Sequence, residues 1–379
     1  MKKNEFTMLA KTFKGLEQVL AGELVQLGAN NVQIGRRMVS FTGDKEMMYK
    51  ANFHLRTAVR ILKPFLHFKA TNADEVYETV KAFDWEQYLD TTSTFSVDSV
   101  VYSEVFRHSK FVAYRVKDAI ADYFNEKYGE RPSIRVTNPD VMLDVHISGN
   151  EVTISLDSSG ESLHKRGYRA VGNDAPLHET LAAGMIQLTR FRGREFFWDP
   201  FCGSGTIPIE AALIAKNRAP GLNRHFAAEE YPWMPASAWD LAKEEAKDKE
   251  FNGKYRIMGS DNDPSCVSLA FANARKAGVA DAVTFQDGDA TKMSLPCDSG
   301  ILVCNPPYGE RMMEQSSAQR LYSALGRHLK FANDWKKFII TSEPEFEHYF
   351  GRRADKKRKL YNGMIKCDYY MFTENKRKK

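Results

Sequence analysis

The 379-residue sequence predicts an α/β protein in which a parallel, nucleotide-type sheet fills the C-terminal half and two smaller α+β units precede it. Three observations predict this class. The apolar run Glu195-Phe196-Phe197-Trp198 ends at Asp199, turns through Gly203 and Gly205, and enters a helical pattern over residues 207–215. A strand, a glycine turn and a helix N-terminus in that order form the loop of a nucleotide-type cofactor site. Strand and helix patterns then alternate along the chain, as a sheet with crossover helices requires. The residues before 160 hold short alternating strands and amphipathic helices without such a loop.

Composition sets the bounds. The length allows two or three domains, each with a real core. No run of eighteen apolar residues predicts a membrane span. The basic start Met1-Lys2-Lys3 leads into no apolar signal core, so a cytoplasmic protein is expected. The cysteines (Cys202, Cys266, Cys297, Cys304, Cys367) show no metal spacing and read as reduced thiols. The net charge of +5 is unevenly spread: from residue 351 onward eleven Lys and Arg face only Asp355, Asp368 and Glu374. A basic patch of that kind suits a polyanion. Lys376-Arg377-Lys378-Lys379 reads as a solvated tail, whereas Arg352 to Lys359 leads into a β-like stretch.

In chain order, residues 7–10 and 38–41 are strand-like around a helical pattern at 15–24, which suits a small α+β unit. Residues 49–62 read as a helix and then a strand, with Arg56 and Arg60 on one face. A second unit follows. Residues 72–80 form a capped helix, 94–101 alternate as a strand, and 110–128 form a long amphipathic helix. Residues 141–147 and 151–157 are strands around the turn Ser148-Gly149-Asn150. Arg107, His108, Lys110 and Arg115 are candidates for phosphate contact, with a solvated helix face as the equal alternative.

The glycine loop is Asp199-Pro200-Phe201-Cys202-Gly203-Ser204-Gly205-Thr206. No Lys follows it, as a phosphate loop requires, and Pro208 stands where a dinucleotide fingerprint has its third glycine. Asp199, with no basic residue nearby, suits a ligand carrying an ammonium and a sulfonium, which points to S-adenosylmethionine. Cys202 has no base beside it and reads as loop filler. Residues 254–261 form the second strand, whose closing Asp261 is placed to accept from ribose hydroxyls. An insertion at 217–252 separates it from the loop. Its aromatic residues Phe226, Tyr231, Trp233 and Trp239 are expected to pack locally rather than to hold RNA bases. Residues 283–286 form the third strand, and Asp289, with Ala290 beside it, is expected to accept from an adenine amino group. The fourth strand ends at Asn305, 337–342 is the fifth, and 357–361 with 365–372 give a closing hairpin.

The second motif is Asn305-Pro306-Pro307-Tyr308. Prolines lack N–H, so this backbone offers acceptors and few donors. Asn305 adds a side-chain carbonyl and Tyr308 a flat ring. An exocyclic amine on a planar base fits such a site, with its N–H bonds on the Asn305 oxygen and the Pro306 carbonyl and its ring stacked on Tyr308. Those bonds strengthen as positive charge grows on the attacking nitrogen. Asn305, Pro306, Pro307 and Tyr308 are the candidate catalytic residues.

Together with Gly259-Ser260-Asp261-Asn262-Asp263 and the extension Gly309-Glu310-Arg311, these motifs resemble those of class I methyltransferases that modify exocyclic amines of RNA. The chain as a whole resembles the THUMP-domain family, close to bacterial 23S rRNA guanine-N2 methyltransferases. The resemblance implies a ferredoxin-like domain at 1–64, an RNA-binding THUMP domain at 65–160 and a Rossmann-like class I methyltransferase domain at 161–379. It also implies that Ser162 to Arg169, with its Arg-Gly-Tyr-Arg stretch, joins the halves. A helix over 173–183 would then lie against the cofactor through His178, Glu179 and Thr180, and Asn262 and Asn305 would join the cofactor residues. Neither His178 nor Glu179 makes a metal pattern with its neighbours, so no metal is assigned. The expected activity is methyl transfer from S-adenosylmethionine to the N2 amine of a guanine in 23S rRNA. A tRNA guanine-N2 methyltransferase, an adenine-N6 methyltransferase and a non-catalytic RNA-binding scaffold are the alternatives. Longer relatives carry a second methyltransferase domain, and no second activity is expected of this sequence.

Overall fold

The computed structural model describes residues 5–106, 108–169, 177–308 and 312–373. Arg107, Asn173 to Pro176 at the expected helix start, Gly309-Glu310-Arg311 and the tail Lys376 to Lys379 lie outside the described residues.

The front half comprises β1 (Phe6–Thr12), α1 (Glu17–Leu27), β2 (Asn30–Gly35), β3 (Met38–Gly43), α2 (Lys45–His54), β4 (Ala58–Lys69), α3 (Ala73–Lys81), β5 (Thr94–Tyr102), α4 (Ser109–Tyr128), β6 (Ser133–Ile134), β7 (Val141–Ser148) and β8 (Glu151–Asp157). Local chemistry starts the helices where the sequence marks them. Asp44 accepts from the Met47 N–H to open α2. Asn72 accepts from the N–H groups of Asp74 and Glu75, while Glu75 accepts from the Thr71 N–H, a reciprocal cap that opens α3.

These strands form one eight-stranded sheet in the order β2-β3-β1-β4-β8-β7-β5-β6. The long β4 makes it continuous. Its first residues pair antiparallel with β1, and residues 62–69 pair antiparallel with β8. The register shifts between Pro64 and Leu66, where proline has no N–H to give the ladder. The division expected at residue 64 therefore falls on a bulge within a shared strand. One hydrophobic core runs under both units, from Met8, Phe41 and Phe53 to Val97, Val116 and Ile154.

Arg56 and Arg60, expected on one face, take up different positions. α2 ends at His54, so Arg56 lies in the connection to β4, and the two side chains take different partners. Arg60 pairs with buried Asp157. Arg56 donates to the carbonyls of Leu213 and Arg218 in the C-terminal half.

The C-terminal half adds α5 (Glu179–Leu188), β9 (Phe197–Asp199), α6 (Thr206–Ala215), α7 (Ala236–Asp248), β10 (Ile257–Asp261), α8 (Pro264–Ala277), β11 (Val283–Asp287), β12 (Gly300–Cys304), α9 (Met312–His328), β13 (Trp335–Thr341), α10 (Phe346–Phe350), β14 (Lys356–Asn362) and β15 (Ile365–Phe372). The seven-stranded sheet runs β11-β10-β9-β12-β13-β15-β14. Its first five strands are parallel; β15 is antiparallel to both neighbours. β9, two residues shorter at its start than expected, lies between β10 and β12. The strand order reverses there, which opens a crevice at the carboxyl ends.

The insertion does not pack on itself alone. Trp239 lies 4.3 Å from the Tyr49 ring and Phe226 lies 5.0 Å from Phe53, both on α2. The Tyr231 hydroxyl donates to the Asp157 carbonyl at 2.6 Å. Lys63 stands 4.6 Å over the Trp233 ring. The insertion thus joins the core of the front half and welds the two halves together. In the basic C-terminal stretch, Lys357 pairs with Glu347 and Arg358 donates to the Gly15 carbonyl at 3.0 Å, so part of that charge serves folding. Among the described residues no helix is long and apolar enough to cross a membrane.

Candidate active site

The crevice is built by loops leaving neighbouring strands. Ile301 and Leu302 of β12 pair with Phe197 and Trp198 of β9, which brings Asp199 and Asn305 to the same edge of the sheet. Asp199 is 1% exposed and accepts from the Phe201 N–H at 3.0 Å. Burial pushes its carboxyl well above the usual carboxylate range, against the pull of the Phe201 N–H and with a smaller push from the charge of Asp261.

The glycine loop is stitched to β10. The Cys202 N–H donates to the Ser260 carbonyl at 2.9 Å, and the Gly203 N–H donates to Asp261 Oδ2 at 2.9 Å. Asp261 Oδ1 accepts from the Asp263 N–H at 3.1 Å, and Asn262 between them is exposed. The two glycines do different jobs. Gly205, at φ +86°, caps α6 so close to α8 that an added Cβ would lie 2.8 Å from Ala270 Cβ. Gly203, at φ +49°, has nothing within 4 Å of that position. Its outer face is an open cradle at the crevice, which fits a ligand drawn close to the backbone. Cys202 is buried, and burial pushes its thiol upward, as suits filler rather than a nucleophile.

Two supports of this loop come from outside the glycine motif. Asn273 on α8 donates to the Ser204 carbonyl at 2.9 Å. Arg169 donates to Glu179 Oε1 at 2.7 Å, to the Leu177 carbonyl at 2.6 Å and to Thr206 Oγ1 at 3.0 Å, clamping the start of α5 onto the start of α6. Behind the clamp, Arg166 and Tyr168 both donate to buried Glu210 on α6. Glu179 is buried, and desolvation raises its pKa against the pull of Arg169. Thr180 Oγ1 is a buried hydroxyl without a hydrogen-bond partner.

His178 contacts His164 edge-on at 4.7 Å. Burial lowers both imidazoles, that of His164 to about 4, so both are neutral near pH 7. His164, distant in sequence, completes with His178 and Glu179 a trio whose ligand-type atoms lie within 4.8 Å of one another, the one such group among the described residues. The Arg169 guanidinium already supplies the positive partner of Glu179. The trio borders a cavity of about 1080 Å³ reaching Arg135 and Asp140 of the front half. That cavity lies beside the crevice: neither the loop from Asp199 to Gly205 nor Asn305 lines it.

On the far side, Asp289 follows β11. Its Oδ1 accepts from the Thr291 N–H at 2.8 Å and hydroxyl at 2.6 Å, and Lys292 lies 3.0 Å from Oδ2. These bonds, led by the Thr291 hydroxyl, lower its pKa to about 2. Ala290 beside it is buried.

In the second motif Pro306 is buried and Pro307 exposed. The Pro307 carbonyl accepts from the Tyr322 hydroxyl at 2.7 Å. Tyr308 differs from expectation. Its ring is half-buried against the core rather than open as a platform, and its hydroxyl donates to Asn305 Oδ1, the atom expected to receive the target amine. Arg115, a phosphate candidate, is occupied as well: it pairs with Asp74 at 2.8 Å and lies over the Tyr77 ring. His108 and Lys110 are exposed.

Three family profiles match the chain: "RlmL ferredoxin-like domain" over residues 7–62, "THUMP domain" over 70–157 and "RMKL-like, methyltransferase domain" over 166–371. The "Putative RNA methyltransferase YpsC" of Bacillus subtilis (strain 168) is 37% identical over 97% of this chain and 96% of its own length. The "Ribosomal RNA large subunit methyltransferase K/L" of Desulfotalea psychrophila is 36% identical over 96% of this chain. The chain spans about half of that relative's length, 52%. Among solved structures, a possible methylase from Clostridium difficile 630 superposes with a TM-score of 0.91 at 35% identity, covering 99% of this chain and all of the other. "SMU.472, a putative methyltransferase complexed with SAH" superposes with a TM-score of 0.89 at 34% identity, covering 99% and 100% of the two chains.

Proposed function

The chain belongs to the RMKL-like methyltransferase family with ferredoxin-like and THUMP domains, and from that membership we propose that it methylates the exocyclic N2 amine of a guanine in 23S rRNA, using S-adenosylmethionine. The observation that carries the reading is the placement of an Asp199-ended glycine loop and an Asn305-Pro306-Pro307-Tyr308 loop at the carboxyl ends of the adjacent strands β9 and β12. The rRNA assignment follows the names of relatives that are longer than this chain. As an rRNA-processing enzyme the protein would work in the cytoplasm.

The residues present fit the cofactor: Gly203 leaves a cradle, Asp199 offers a buried carboxyl, and Thr180 a buried hydroxyl without a partner. Pro200 to Thr206 would wrap it, Asp261 and Asn262 would meet the ribose, Asp289 and Ala290 the adenine, and His178 to Thr180 would close the α5 side. S-adenosylmethionine supplies an electrophilic methyl group when bound. The protein's own contribution is positioning and electrostatics. Asn305 Oδ1 and the Pro306 carbonyl accept the N–H bonds of the target amine, and both contacts gain strength as positive charge develops on nitrogen. Asn305 Oδ1 has two lone pairs, so one accepts from the Tyr308 hydroxyl while the other is left for the amine. That hydroxyl keeps the acceptor oriented, and the half-buried Tyr308 ring forms a wall beside the flipped base. The front half, with exposed His108 and Lys110 at the start of α4, would hold the RNA outside the crevice.

Incubating the protein with S-adenosylmethionine and 23S rRNA tests the reading, with N2-methylguanosine as the expected product. N6-methyladenosine, or methylation confined to tRNA, would overturn it.

A further inference from the structure

The Asn305-Pro306-Pro307-Tyr308 loop has an unusual support problem. β12 ends at Cys304, so the sheet ladder does not reach the loop. Pro306 and Pro307 bring no N–H of their own, so between Asn305 and Tyr308 the backbone offers a partner only its carbonyls. Tyr322 of α9 meets that need. Its side chain is fully buried, its ring packs edge-on against Phe346 at 5.1 Å, and its hydroxyl lies 2.7 Å from the Pro307 carbonyl and 3.0 Å from Thr341 Oγ1. Thr341 Oγ1 in turn accepts from the Glu343 N–H at 3.1 Å.

The directions in this chain are fixed by valence. A carbonyl only accepts, so the single phenolic proton of Tyr322 goes to Pro307. The Tyr322 oxygen then receives the Thr341 proton, and the Thr341 oxygen receives the Glu343 N–H. A one-way relay of this kind polarises each member and strengthens the last bond.

We propose that Tyr322 is a positioning residue for methyl transfer, holding the Pro307 carbonyl so that Asn305 Oδ1 and the Pro306 carbonyl stay aimed at the target amine. The inference rests on the amine-methylating reading given above. Tyr322 touches neither reactant. It acts on the one carbonyl of the two prolines that the amine does not use, anchoring the loop from the β13 side while β12 anchors it at Cys304. Thr341 sets the donor direction of Tyr322 and belongs to the same device.

Tyr322→Phe keeps the buried ring and removes only the donor. At saturating S-adenosylmethionine and RNA, its single-turnover methylation rate is expected to fall about tenfold, while cofactor affinity by calorimetry stays within about twofold. Thr341→Val should give a smaller loss of the same kind, Thr341→Ser should restore the rate, and Tyr322→Phe combined with Thr341→Val should lose no more than Tyr322→Phe alone. A wild-type rate for Tyr322→Phe overturns the proposal. So does a loss that appears equally in cofactor affinity and in the denaturation midpoint, because that marks a general structural role. If the unaltered protein methylates no RNA amine, the functional reading fails and takes this inference with it; an active parent with an equally active Tyr322→Phe variant defeats the inference alone.

Discussion

Substituting the two glycines of the cofactor loop should separate folding from binding. Gly205→Ala places a Cβ 2.8 Å from Ala270 Cβ and 3.1 Å from its Cα, on a backbone at φ +86°. The left-handed conformation costs a residue with a side chain roughly 1–2 kcal/mol. Forcing a methyl into a packed helix contact costs about 1–3 kcal/mol more. Because the obstructing atoms include Ala270 backbone, little relaxation is available, and a total loss of about 2–5 kcal/mol is expected. Gly203→Ala bears the same kind of backbone cost at φ +49° but meets nothing within 4 Å. Its loss should stay near 1–2 kcal/mol. Its new methyl instead fills the cradle, so affinity for S-adenosylmethionine should fall at least tenfold, worth about 1.4 kcal/mol. Urea denaturation of both variants and calorimetric titration of Gly203→Ala provide the readouts. Equal destabilisation by the two substitutions, or wild-type affinity in Gly203→Ala, would refute the assignment of the open face to the cofactor.

Asn305→Ala should lower the single-turnover rate about a hundredfold, near 3 kcal/mol, with cofactor affinity unchanged, because it removes an acceptor that matters most in the transition state; rapid-quench methylation assays check this. Asp199 gives a pH test. Its folded pKa is raised, so whatever stability it contributes is fully present below the unfolded value near 3.9 and is lost as pH rises through the folded pKa. Asp199→Asn should therefore stabilise the ligand-free protein at neutral pH, seen by thermal melting. The same variant should bind S-adenosylmethionine more weakly and without the proton release that calorimetry in two buffers of different ionisation enthalpy should detect for the parent. Deleting residues 1–160 removes Tyr49 and Phe53 from beneath Trp239 and Phe226, so the remaining chain should bind a hydrophobic dye and lose its cooperative unfolding transition. A truncated chain that melts like the parent would contradict the welded arrangement of the halves.

The parts of the fold written in local patterns were legible in the sequence. The strand–turn–helix at Asp199 to Thr206 and the parallel strands that follow announce themselves through apolar runs ended by acids or prolines. The hairpin of β7 and β8 does so through Ser148-Gly149-Asn150. What was hidden depends on partners far away in the chain. Nothing near Pro64 says that β4 continues through it to pair with β1 on one half and β8 on the other. The aromatic residues of the insertion report that they are buried, but periodicity does not name α2 as the surface that buries them. Asn273 and Tyr322 support the two loops from other elements, and each looks like an ordinary helix residue until the sheet brings it close, while the Arg-Gly-Tyr-Arg stretch marks Arg169 without naming Thr206 as its partner. His164 joins His178 and Glu179 only through the fold. The inward turn of Tyr308 is not legible either: an aromatic residue after two prolines suggests an open platform, whereas Asn305 gives its hydroxyl a partner.

The most direct test of the central claim is nucleoside mass spectrometry of 23S rRNA and tRNA after incubation with the purified protein and S-adenosylmethionine carrying a labelled methyl group. Labelled N2-methylguanosine in the 23S rRNA, absent when Asn305→Ala replaces the parent, is the outcome expected of amine methylation that depends on Asn305. Label on adenine N6, label in tRNA alone, or equal labelling by Asn305→Ala would contradict it.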